Sequence, residues 1–391
     1  MKEVLIIDAL RTPIGSLNGV LADQPAHRLA ATIIKRLVAE HGLAGDAIDE
    51  VIIGQVLSGG CGQAPARQAM REAGLPDAVH AMTINKVCGS GLKAIMLGAD
   101  SIRLDESSLV LAGGMESMSQ APYIIKKART GLRMGHGELL DLMIYDGLQD
   151  PYTGRHMGMI GDDSARRNGI SREEQDEFAG RSYRLAQNAV REGIFAGEIV
   201  PVVKQGRKGE ERVEQDEEPF KADYTKLAQL RPVFSADGTV TAGNASTIND
   251  GAAMALLAGP EAAQRFGLAP KARLVAHATA SFHPDHFPEA PVAAIEAVCR
   301  RADVPIDRID LFEINEAFAN VPLIAIKKLA LPLEKVNVNG GACAIGHPIG
   351  ASGARLLATL VRELGRRQAR YGLATLCIGG GEAVAAIIER I

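Results

Sequence analysis

The feature that most constrains this chain is that it repeats itself. Ala47-Ile48-Asp49-Glu50-Val51-Ile52 returns as Arg308-Ile309-Asp310-Leu311-Phe312-Glu313, and Gly89-Ser90-Gly91-Leu92 returns as Ala351-Ser352-Gly353-Ala354 at nearly the same separation. A third match, Ala112-Gly113-Gly114-Met115-Glu116 with Gly379-Gly380-Gly381-Glu382, follows after a slightly longer connection. Three matches in one order point to a duplicated unit, even in a chain with 42 glycines. Within each half a Gly/Ser turn opens a helix, Ser90 to Ile102 and Gly350 to Arg366. An apolar strand then ends in a glycine run, Ser108 to Gly114 and Ala374 to Gly381. This alternation predicts an α/β layered architecture with ligands at strand ends.

A length of 391 residues exceeds one compact core, which fits such a duplication. Residues 1–116 with 250–268 are expected to form the N-terminal half of the core, and 269–391 the C-terminal half. Between them, 117–249 reads as an inserted loop domain that covers the active site and holds the nucleotide part of a ligand. It carries an amphipathic helix, Ser171 to Glu192, opened by the capping-box pattern Ser171-Arg172-Glu173-Glu174, and a charged stretch, Lys204 to Glu218, that reads as solvated surface.

The net charge of −4 gives no electrostatic reason for nucleic acid or an anionic membrane as partner. Aromatics at 4% and no Trp speak against stacking platforms for single strands. No apolar run approaches the roughly 18 residues of a membrane helix, and no targeting segment is visible in Met1 to Gly15. Five cysteines, Cys61, Cys88, Cys299, Cys343 and Cys377, form no CxxC pair, which points to a reducing compartment and a cytoplasmic protein without a disulfide framework or metal site.

Cys88 precedes a helix in Asn85-Lys86-Val87-Cys88-Gly89-Ser90-Gly91. The helix dipole and free N–H groups there favour thiolate, although a lone Cys is as readily an inert buried residue. His347 lies in the glycine-rich turn Gly340 to Gly350, near the position that the repeat equates with the Cys88 turn. A pseudo-twofold would bring thiol and imidazole into one cleft, where His is the usual base. Cys377 precedes Ile378-Gly379-Gly380-Gly381. Two thiols near one His allow a disulfide, a metal site or a catalytic pair, and the third fits carbon–carbon bond chemistry. Backbone N–H groups at Cys88 and Gly379 are then free for an oxyanion. Asn315, in Asn315-Glu316-Ala317-Phe318, is either a helix cap or the holder of a water that donates to an oxyanion.

Taken together, these four segments, with His156-Met157-Gly158 and Gly243 to Gly251, resemble the thiolase family in that family's order, from Arg11-Thr12-Pro13 to the C-terminus. The resemblance implies a duplicated αβαβα layered fold and reversible condensation of two acetyl-CoA to acetoacetyl-CoA, with coenzyme A as substrate and product and no tightly bound cofactor. It implies acylation of Cys88, with His347 taking its proton and Cys377 handling the α-proton. Asn315 positions a water beside His347, and the N–H groups of Cys88 and Gly379 form a second oxyanion hole. For the pantetheine arm it points to Leu148, His156, Ala245, Ser246 and Phe318. Asp285-His286-Phe287-Pro288 resembles the Phe-Pro version of mitochondrial-type acetoacetyl-CoA thiolases, whose Phe limits chain length, while Pro219 after Glu217-Glu218 departs from that branch's potassium site. Arg129 to Gly135 resembles the segment through which short-chain members form homotetramers. A longer-chain 3-ketoacyl-CoA thiolase shares every catalytic residue and is the nearest rival. Cys377 with Asn315 argues against a malonyl-dependent condensing enzyme, and the intact Cys/His/Cys set against a non-catalytic acyl-CoA binder.

Overall fold

In the computed structural model, residues 2–206 and 209–391 are described; Arg207 and Lys208, within the charged stretch, lie outside them. The first half runs β1 (Leu5–Arg11), α1 (Ala26–Glu40), β2 (Glu50–Gly54), α2 (Pro65–Glu72), β3 (His80–Ile84), α3 (Ser90–Arg103) and β4 (Leu109–Ser117). The chain then leaves the core for α4 (Met157–Asn168), α5 (Arg172–Arg191) and two small antiparallel ribbons, and returns as β5 (Asn249–Ala258). The second half runs β6 (Ala272–Ser281), α6 (Ala290–Ala302), β7 (Leu311–Ile314), α7 (Asn320–Leu329), α8 (Ser352–Arg367), β8 (Tyr371–Ile378) and β9 (Glu382–Arg390).

The strands lie in the order β7-β8-β9-β6-β1-β5-β4-β2-β3. The four strands β7-β8-β9-β6 are followed by their mirror-ordered copy, β1-β5-β4-β2, with β3 added at the edge, and the two half-sheets join where Leu5 and Ile6 pair with Arg273 and Ala272. The first half has two parallel pairings, β2 with β4 and β2 with β3, and the second half has one, β7 with β8, beside antiparallel neighbours. The core strands read as near-continuous apolar runs because both faces are covered. All nine residues of β4 are buried.

Helix periodicity explains the central layer. In α3, Leu92, Ile95, Met96, Ala99 and Ile102 recur at helical spacing, and all are buried with Leu356, Leu357, Leu360 and Leu364 of α8. One apolar cluster joins these two helices to strands of both half-sheets. A second cluster seats α1 and α2 on the outer face of the first half-sheet, and a third seats α6 and α7 on the outer face of the second. Helix, sheet, helix, sheet, helix: the five layers that the resemblance implies are present.

Glycine at two positions permits the close approach of the halves. A Cβ at Gly91 would lie 2.9 Å from the Gly350 carbonyl oxygen, and one at Gly114 would lie 2.0 Å from the same atom. The capping box at Ser171 forms, with Glu174 N–H donating to Ser171 Oγ at 3.1 Å and Ser171 N–H donating to Glu174 Oε2 at 2.6 Å.

One sequence match needs correction. Strand register equates Val110 with Gly372 through their partners Glu50 and Leu311, so Met115, not the Gly379 run, stands where Cys377 stands. Gly379 to Gly381 are the tight connection between β8 and β9, with Gly380 and Gly381 at φ +91° and +90°. In the first half the equivalent connection, β4 to β5, is the whole insertion.

Candidate active site

The Cys88 turn is built from its own polar groups. Lys86 N–H donates to Ser90 Oγ at 2.8 Å, Ser90 Oγ donates to the Val87 carbonyl at 2.7 Å, and Val87 N–H donates to Asn85 Oδ1 at 2.8 Å. These bonds hold Val87, a β-branched residue, at φ +45°, a conformation that stores strain where the chain turns into α3. Cys88 follows at once, its sulfur facing the backbone N–H groups of Gly379 and of Cys88 itself.

The second turn brings His347. Its N–H donates to Asn249 Oδ1 at 2.8 Å, and Gly350 N–H donates to Glu116 Oε2 at 2.9 Å. Glu116, fully buried at the end of β4, also accepts from Val56 and Leu57 N–H at 3.0 and 3.1 Å, so one carboxylate ties the loop after β2 to the His347 turn of the other half. The ring tautomer follows from the hydrogen bonds. Ser352 Oγ donates to the Pro348 carbonyl at 2.9 Å, so at its 2.5 Å contact with His347 Nδ1 it is the acceptor. Nδ1 therefore carries the proton and Nε2 presents a lone pair, 3.5 Å from Asn315 Nδ2.

Asn315 does not cap a helix: α7 begins five residues on, with Ala319 at its N-cap. The side chain is fully buried at the end of β7, and its Oδ1 has no protein partner. Cys377, 1% exposed, closes β8.

Cys88, His347, Cys377 and Gly379 all open into one cavity of about 270 Å³; Asn315 does not line it, and is linked to it through its 3.5 Å contact with His347. Leu148, His156, Ala245, Ser246 and Phe318 also line it, as does Phe287. His156 stacks on Phe234 with centroids 4.6 Å apart, and Phe318 meets Phe234 edge-on and tilts against Phe287, both at 6.4 Å. The sequence reading does not assign Met118, Met157, Phe234 or Ile349 to this wall. Ile349 sits inside the His347 motif and could have been included; Phe234 lies in irregular chain without periodicity to mark it. Glu116 appears in the repeat, but its contacts lie far along the chain and leave no local signal; Ser352, five residues after His347, could have been included.

Electrostatics correct one expectation. Burial pushes the Cys88 thiol up to about 11, against the pull of the Gly379 and Cys88 N–H groups, and the Glu116 charge adds to the rise. Burial, helped by the Arg355 guanidinium, brings His347 down to about 3. The resting pair is thus neutral thiol and neutral imidazole, not the thiolate that a helix N-terminus alone would favour. Cys377 is likewise held well above an ordinary thiol, by burial and then by Cys88. Burial raises Glu116 to about 7.

Glu217, from the segment weighed for potassium, is occupied by Ser16 and Val20 N–H at 2.9 and 3.0 Å and by Lys221 at 2.5 Å. Among the described residues no group of three or more His, Cys, Asp or Glu is placed to hold a metal, and no helix is long and apolar enough to cross a membrane.

Family models place this geometry. Residues 4–261 match the thiolase N-terminal domain, and residues 268–390 match the thiolase C-terminal domain. The chain is 49% identical to an acetyl-CoA acetyltransferase of Pseudomonas aeruginosa, and 48% identical to a probable acetyl-CoA acyltransferase of Staphylococcus aureus, with all of each chain covered in both comparisons. The crystal structure of the Bacillus anthracis acetyl-CoA acetyltransferase superimposes with a TM-score of 0.97 at 41% identity, covering 100% of this chain and 99% of that one. The chain belongs to the thiolase family and is an acyltransferase.

Proposed function

We propose that this enzyme is an acetyl-CoA C-acetyltransferase, which condenses two acetyl-CoA to acetoacetyl-CoA and CoA and runs the same path in reverse. The observation that carries the reading is the meeting of Cys88, His347 and Cys377 in one small cavity.

Cys88 Sγ attacks the first thioester as its proton passes to the free lone pair of His347 Nε2. The tetrahedral intermediate collapses, and the departing CoA thiolate takes the proton of Cys377. Acetyl-Cys88, imidazolium and Cys377 thiolate remain. The thiolate removes the α-proton of the second acetyl-CoA, and the enolate oxygen is held by the imidazolium and a water bound to Asn315. Attack on acetyl-Cys88 places an oxyanion against the Cys88 and Gly379 N–H groups; one such donor is typically worth about 3–4 kcal/mol. Collapse frees the Cys88 sulfur, which recovers its proton from His347. Each group ends as it began.

On this reading residues 117–249 act as the loop domain over the active site, between core halves 1–116 with 250–268 and 269–391, and supply the pantetheine wall through Leu148, His156, Ala245 and Ser246. The exposed apolar side chains Tyr123, Ile125, Leu132, Met134 and Leu139 support a homotetramer assembled through Arg129 to Gly135 and the paired strands Tyr123–Ile125 and Leu139–Asp141 that flank it. Five free thiols fit the reducing cytoplasm.

The cavity volume of about 270 Å³ and Phe287 on its wall favour a short acyl group over the longer chains of a β-oxidation thiolase. Thiolytic cleavage of acetoacetyl-CoA and of a medium-chain 3-ketoacyl-CoA is the test. A higher kcat/KM is expected for acetoacetyl-CoA, and preference for the longer substrate defeats the assignment.

A further inference from the structure

The two N–H donors of the second oxyanion hole come from opposite halves of the molecule, so something must fix the distance between them. The Cys88 side is rigid. Besides the bonds already described, Gly89 and Ser90 N–H donate to the Lys86 and Val87 carbonyls, both at 3.0 Å. The Gly379 side is a three-glycine hairpin, tied at Gly381, whose carbonyl accepts from Phe282 N–H at 2.7 Å, but little packed at Gly379 and Gly380. A Cβ at Gly380 would meet nothing within 4 Å, and one at Gly379 would touch only Met157 and Val87, at 3.5 and 3.6 Å. A second cavity of about 540 Å³, lined in part by Asn85, Val87, Gly379 and Gly380, opens beside this hairpin.

One ion pair crosses the gap. Lys86 Nζ donates to Glu382 Oε2 at 2.5 Å, with the side chains 22% and 32% exposed. Ser281 Oγ donates to the other oxygen, Oε1, at 3.0 Å, so the carboxylate is held from both sides. Lys86 lies two residues before Cys88 and Glu382 three after Gly379. Neither lines the cavity that holds Cys88, His347 and Cys377. The pair thus spans the oxyanion donors from outside the chemistry.

We propose, resting on the condensation chemistry above, that Lys86 and Glu382 are a positioning pair that holds the Gly379 hairpin against the Cys88 turn and so sets the second oxyanion hole. Neither residue touches substrate. They act through the backbone N–H of Gly379, whose neighbouring glycines leave it no side-chain packing of its own.

A double-mutant cycle on acetoacetyl-CoA cleavage tests this, with Lys86→Met, Glu382→Gln, the double variant, and the exchanged pair Lys86→Glu with Glu382→Lys. Since part-exposed pairs couple weakly, each single change is expected to lower kcat by about two- to fivefold. KM should stay near the wild-type value, the double variant should cost no more than a single one, and the exchanged pair should recover most of the loss. Alkylation of Cys88 by iodoacetamide, followed against pH without any CoA substrate, adds an independent readout. Loss of the Gly379 N–H from the sulfur moves the alkylation midpoint to higher pH in both single variants. A purely Coulombic role would move them in opposite directions, upward on losing the lysine and downward on losing the carboxylate. Opposite shifts, or additive losses in kcat, overturn the positioning role. The alkylation readout needs no turnover, so coupled upward shifts in a protein that fails to cleave acetoacetyl-CoA would reject the proposed function and still support the pair.

Discussion

At the residue scale the site depends on proton positions as much as on sulfur. His347 serves as base only if Nε2 is unprotonated, and Ser352 holds the proton on Nδ1 by accepting its hydrogen bond at 2.5 Å. Ser352→Ala leaves that buried N–H without its acceptor, which costs about 1–3 kcal/mol. Steady-state kinetics should show kcat lower by roughly ten- to a hundredfold, with little change in KM for acetyl-CoA; wild-type kcat in this variant would remove Ser352 from the account. Cys88, His347 and Cys377 could be named from motifs because each sits beside glycines in a recognisable turn. Their protonation could not, because it depends on enclosure. The helix dipole favours thiolate by a fraction of the cost that burial imposes, and burial at Cys88 comes from chain hundreds of positions away, Ile349 and Cys377 among it.

At the element scale the duplicated helices and strands were legible, since Ser90 to Ile102 and Gly350 to Arg366 carry the same opening turn and apolar spacing. The observed helices, Ser90–Arg103 and Ser352–Arg367, differ from that reading by one or two residues at their ends. Gly350 stays outside its helix because its carbonyl is pressed against β4. The third repeat match failed for a different reason: glycine runs look alike in sequence, whereas strand register separates a mid-strand glycine from a hairpin one. Gly114→Ala probes the close crossing directly. Its Cβ would lie 2.0 Å from the Gly350 carbonyl oxygen, within the turn that carries His347. The expected outcome is destabilisation by about 1–3 kcal/mol in denaturant melts together with a loss of kcat, and an unperturbed variant would show that the turns do not meet.

At the scale of the whole molecule, joining two halves buries carboxylates as well as apolar surface. Burial raises Glu116 from 4.5 to about 7 and Glu313 from 4.5 to about 8. A carboxyl group whose folded pKa is raised binds more protons folded than unfolded, so it destabilises progressively as pH climbs from the unfolded towards the folded value. Buried His347, lowered from 6.5 to about 3, acts in the opposite sense, but its contribution is complete above pH 6.5. Between about pH 6.5 and 8 the carboxylates therefore dominate, and Tm should fall as pH rises through that window, as read by differential scanning fluorimetry. A Tm that rises there would contradict the assigned burial. Nothing in the sequence announces this, because Glu116 and Glu313 look like ordinary strand residues until both faces of their sheet are covered.

The most direct test of the central claim is to mix the enzyme with acetyl-CoA labelled in the acetyl group, quench, digest and locate the label by mass spectrometry. The account predicts one acetyl group per chain on the Cys88 peptide. It predicts the same labelling in Cys377→Ser, which should then exchange α-protons poorly, and no labelling in Cys88→Ser, with turnover down by roughly three orders of magnitude or more. Label on Cys377, or turnover that survives Cys88→Ser, would contradict it.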